Sequence, residues 1–164
     1  MSARGRGARG DREREPEAPP SRALLHDAAL RYLTASAASA SSVTKALERR
    51  VAGWAKRAAR QGRDEEAIAA DAARAREEIP HVLARLRELG LVNDEAFASA
   101  RAQSLSRQGR SRRAISAHLV ARGVTHDVVR EAVGHERTSE IDAALAFAKK
   151  RRIGPFAREL DDED

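Results

Sequence analysis

The spacing of the apolar residues is what most narrows the folds open to this chain. From Leu24 to Val133 they recur every three or four positions, and Gly90, Gly109, Gly123 and Gly134 each follow such a run. That period puts them on one face of an α-helix, and glycine is the residue that most readily takes the left-handed conformation ending one. The chain is therefore expected to form short helices of about two to four turns. No segment alternates with period two and β-branched residues are scattered, so no sheet is expected and the fold class is all-α.

A first helix should bury Leu25, Ala28, Ala29, Tyr32 and Leu33, until a serine-rich stretch breaks it. Val43, Ala46, Leu47, Val51 and Trp54 then mark a second helix, with Ser41 or Ser42 as its cap and Trp54 as a packing residue. Between 56 and 78 only Ile68 is large and apolar, which suggests a solvated, charged insert. Pro80 should either kink this segment or sit in the first turn of the next helix, whose stripe is Val82, Leu83, Leu86 and Leu89 before Gly90. Further on, Asn93 or Asp94 caps a helix bearing Phe97, Ala98, Ala100, Arg101 and Leu105. Ser111 caps one bearing Ile115 and Leu119, and Thr125 one bearing Val128, Val129, Ala132 and Val133.

The halves repeat. Ala28 to Leu33, Val43-x-x-x-Leu47 and Val82-Leu83-x-x-Leu86 recur as Phe97-Ala98, Ile115-x-x-x-Leu119 and Val128-Val129-x-x-Ala132. Composition explains why repetition matters: 35 residues are alanine and only 33 are larger apolar residues, too few for one thick core. Stacked three-helix units, each contacting its neighbours, give such a chain a fold: an elongated, curved tandem array whose hand the sequence does not determine. The expected divisions are a disordered basic, proline-containing tail at 1–22, a first repeat at 23–91 carrying the insert 56–78, and a second repeat at 92–135. An incomplete third repeat at 138–164 starts at Ser139 with Ile141, Ala144, Leu145 and Ala148 and lacks its later helices.

Chemistry is sparse. There is no cysteine, so disulfides, thiolate metal sites and cysteine nucleophiles are excluded. His26, His81, His118, His126 and His135 never stand four apart, so no helical metal pair is offered, and no cofactor is expected. Ser42-x-x-Lys45 lacks the companion motifs of a serine acyl enzyme. Asp94 and Glu95 lie at a helix start, where carboxylates serve the cap and the dipole. No phosphate-binding glycine loop is present, so an enzyme is not expected. Neither a signal segment nor an apolar membrane span occurs, and a cytoplasmic, monomeric protein is expected.

The informative feature is where charge segregates. Residues 96 to 126 contain Arg101, Arg107, Arg110, Arg112, Arg113 and Arg122 and no aspartate or glutamate, whereas acids and bases mix elsewhere. Four of the six span a helix end, a glycine turn and the next helix start, a reasonable footprint for phosphate or an acidic surface. The plainer alternative is a solvated basic face.

The run Gly90-Leu91-Val92-Asn93-Asp94-Glu95-Ala96-Phe97-Ala98, followed by Arg101 and by Ile115-x-x-x-Leu119-x-x-x-Gly123-Val124, resembles the bacterial regulatory protein RecX family. The likeness covers roughly residues 24 to 150 and is strongest from 90 to 133. It implies tandem three-helix repeats, binding to the RecA recombinase filament on single-stranded DNA, and inhibition of its ATPase, coprotease and strand-exchange activities in recombination and the SOS response. The chain departs from the family in having Ser111 and Ala114 where a glycine and an arginine often precede the isoleucine. A helix-turn-helix transcription regulator is the alternative reading, against which the arginines sit at a turn and no Asn or Gln lines an obvious base-reading face.

Overall fold

A computed structural model describes residues 17–134 and 140–156. Its helices are α1 (Arg22–Ala35), α2 (Ala40–Arg60), α3 (Glu65–Glu88), α4 (Asp94–Arg107), α5 (Arg112–Ala121), α6 (His126–Gly134) and α7 (Glu140–Arg151), with a short 3-10 turn at Gly154–Phe156. No strand occurs among the described residues. The fold is an all-α tandem array of three-helix units.

In the first unit α1, α2 and α3 pack on one another around Leu25, Val43, Leu47, Val51, Trp54, Val82 and Leu86, none more than 1% exposed. The second unit repeats the arrangement with α4, α5 and α6 around Ala98, Ala102, Ile115, Leu119 and Val129. The cores are separate clusters, and alanine fills two of the buried positions of α4, Ala98 and Ala102. This is how a chain short of large apolar residues still buries two interiors.

Polar side chains start each of the first five helices. Ser21, Ser39, Asp64, Asn93 and Ser111 accept the amides of Leu24, Ser42, Ala67, Ala96 and Ala114, occupying donors that a helix leaves unpaired. The α2 cap is thus Ser39 and not Ser41 or Ser42, because the helix begins two residues earlier than the apolar stripe suggests. Gly90, Gly109 and Gly123 end their helices in the left-handed region, with φ of 67°, 76° and 75°. The amides of Leu91, Arg110 and Val124 reach back to the carbonyls of Leu86, Leu105 and Leu119. Gly134 instead closes α6.

Three expectations need correction. Residues 56–78 are not a solvated insert: they finish α2 and form the first half of α3, with Ala58, Ile68, Ala72 and Ala75 buried. Alanine fills the inward positions, which a search for large apolar residues overlooks. Asp71, 7% exposed, sits there between Arg63 and Arg74, and Arg63 also covers the Trp54 ring at 5.5 Å. Pro80 lies inside α3 and not in a first turn, where it withholds one amide from the helix ladder. Ile79 is buried beside it while Leu89 is 47% exposed, so the α3 stripe begins earlier and ends earlier than expected.

The third correction concerns the tail. Residues 1–16 lie outside the described residues, but Glu17 is docked: its carbonyl accepts the Trp54 indole N–H at 2.9 Å and its carboxylate pairs with Arg57. A buried indole requires an acceptor, and the segment before α1 supplies it. Ser139, the expected start of the third copy, also lies outside the described residues. On α7, Ile141, Leu145 and Phe147 are 71%, 48% and 49% exposed.

Candidate functional site

The two units meet at a small polar joint. Ser39, fully buried, donates its hydroxyl to the Arg122 carbonyl at 2.6 Å while accepting the Ser42 amide. Asp94 reaches back from the start of α4 to accept the Ala40 amide at 2.8 Å. Asn93 and Asp94 are therefore both caps, but of different helices: Asn93 serves its own, and Asp94 serves α2 of the neighbouring unit. Gly123 completes the joint, since a Cβ there would fall inside the Ser41 side chain.

Beside this joint lies an open cleft of about 620 Å³. One wall comes from the α1–α2 connection and from Leu91; Phe97, Ala100 and Arg101 of α4 form another, and Arg122 closes one end. Arg101 donates from Nε to Nε2 of His118 at 3.1 Å. The imidazole is thus neutral, with its proton on Nδ1. Burial, and then the charges of Arg101, Arg122 and Arg110, hold the His118 pKa below the ordinary histidine value.

The six sequence-selected arginines lie in different surroundings. Arg101 bonds to His118, and the charges of Arg101, Arg122 and Arg110 act on that imidazole. Arg107 ends α4 and is exposed, and Arg113 is exposed in the first turn of α5. Arg112 turns toward α6, lining a shallow groove with Arg130 and Val133. Successive residues on a helix point about 100° apart, which separates Arg112 from Arg113 despite their adjacency. Among the described residues, Arg101, Arg107, Arg110, Arg113 and Arg122 form no ion pair with a carboxylate, unlike Arg57, Arg63 and Arg74 of the first unit.

Sequence reasoning assigns His118 no role because no other histidine or carboxylate stands three or four positions from it. Its only signal is its place inside the acid-free run. No group of three or more His, Asp or Glu side chains that could hold a metal occurs among the described residues. No helix among them is long and apolar enough to cross a membrane.

Two three-helix units in tandem, the second carrying the acid-free arginine run and a cleft lying at their joint, define an all-α helical-repeat protein. The family pattern described as "RecX, second three-helix domain" matches residues 93–133, the stretch that forms α4 to α6. Regulatory protein RecX of Myxococcus xanthus (strain DK1622) is 40% identical over 158 residues, covering 91% of this chain and 79% of that protein. Regulatory protein RecX of Agrobacterium fabrum (strain C58) is 33% identical over 72 residues, 44% of this chain and 38% of that protein. No solved structure matches. The chain belongs to the RecX family and is a regulatory protein.

Proposed function

We propose that the protein binds the RecA filament on single-stranded DNA and inhibits RecA's ATPase, strand-exchange and coprotease activities, without catalysis of its own. The likeness to the Myxococcus protein across 91% of the chain carries this reading. The geometry is compatible with it: among the described residues Arg101, Arg107, Arg110, Arg113 and Arg122 have no carboxylate partner, so no such ion pair must break before they meet phosphate or an acidic surface. Two linked units also present an extended surface, as a groove-bound modulator needs.

The test is ATP hydrolysis by purified RecA on single-stranded DNA. Adding this protein below the RecA concentration should slow hydrolysis, because a ligand lying along a filament affects many subunits. Unchanged hydrolysis at equal concentration would refute the assignment.

A further inference from the structure

The cleft at the joint has features that filament binding alone does not require. Its far end carries Arg122, whose backbone carbonyl is held by Ser39 of the other unit, so the guanidinium projects from a fixed point. Arg101 on the α4 wall is oriented by His118 and, among the described residues, by no carboxylate. Phe97 and Leu91 offer an apolar surface between the units, Phe97 half-buried and Leu91 47% exposed. A volume of about 620 Å³ lies within the range of small-molecule sites.

We propose that this cleft binds a nucleotide unit, with its phosphoryl group between Arg101 and Arg122 and its base against Phe97 and Leu91. Forked guanidinium donors match phosphoryl oxygens, and an aromatic face accepts any base by stacking. An acidic peptide fits less well. Extended peptides are commonly held through main-chain hydrogen bonds to an open sheet edge, and no strand occurs among the described residues. The shared chemistry has two sources, a free or terminal nucleoside monophosphate and an internal phosphodiester of a single strand.

His118 makes occupancy observable. The charged groups acting on it are Arg101 from α4, Arg110 from the α4–α5 turn and Arg122 after α5, all positive. A phosphate seated between Arg101 and Arg122 offsets those charges, so the titration midpoint of His118 must rise when the site fills.

This inference goes beyond the filament reading and is tested without RecA, so either can fail alone. The His118 ring resonance of the full chain is followed by NMR across pH with and without thymidine monophosphate. The midpoint should rise, and affinity should fall at least about tenfold in Arg101→Ala and Arg122→Ala but not in Arg60→Ala on the first unit. Arg101→Lys, which keeps the charge but loses the fork, should fall between. Inorganic phosphate should bind more weakly than the nucleotide. If an oligothymidylate competes only when 5′-phosphorylated, the terminal monophosphate is the source; equal competition without that group assigns the phosphodiester. An unmoved His118 in the parent protein with all these probes overturns the proposal, as does an equal response to inorganic phosphate or to oligoglutamate.

Discussion

At the residue scale, His118 links burial, charge and pH. Its folded pKa lies below that of the unfolded chain, about 6.5, so the unfolded state binds more protons in the window beneath that value. Stability should therefore be complete above about pH 6.5 and decline as pH falls through the folded pKa. His118→Gln should flatten that part of a denaturant-midpoint profile against pH; an unchanged slope would show that His118 does not carry it. Leu119, fully buried in the second unit, supplies a packing control. Leu119→Ala should cost about 3 kcal/mol in chemical unfolding, and a loss below about 1 kcal/mol would mean the site collapses around the smaller side chain. For the arginines, alanine at Arg107, Arg110, Arg112 and Arg113 together should leave helical circular dichroism nearly intact. For every phosphate no longer neutralised, the slope of log affinity against log salt should fall by about 0.7 on single-stranded DNA. If the cluster meets RecA instead, binding to bare DNA stays as it was and filament binding falls. A folded quadruple variant that binds both like the parent would leave the run a solvated face.

Among the elements, the joint decides how the units sit. Ser39, Ala40 and Ser41 open α2, Asp94 opens α4, and Arg122 and Gly123 close α5, so three helix ends are tied at one place. Gly123→Ala should destabilise by about 1 kcal/mol from its left-handed backbone alone, plus the steric cost against Ser41. Combining it with Ser41→Gly should recover the steric part and leave the backbone part, so a double-mutant cycle must be non-additive. Additive losses would indicate that the units separate freely there. The helices were readable from apolar spacing and glycine because both act locally. The joint was not, since Ser39 and Arg122 are 83 positions apart and no local pattern marks their meeting.

For the whole molecule, two separate cores joined by a narrow polar contact imply a shape longer than a single globule. A compact chain of this length would have a radius of gyration of about 15 Å. Small-angle scattering should return a larger value, with a cross-section matching one three-helix unit. A value near that of the compact chain would mean the units fold back on one another.

The sequence by itself determined the helical class, the repetition, most helix ends and the acid-free arginine run, because helical period, capping and the left-handed freedom of glycine operate within a few residues. It misjudged 56–78, where alanine and charged residues conceal a buried face, and the docking of Glu17 on Trp54, which needs a partner 37 positions away. Only the tertiary structure distinguished the arginines: Arg101 bonds to His118, whose imidazole also feels the charges of Arg122 and Arg110, while Arg112 lines the groove beside α6. Sequence records the order of charges along the chain. Which of them share a field is set by helix rotation and by the joint, and that shared field adds to burial in holding the His118 pKa below the ordinary histidine value.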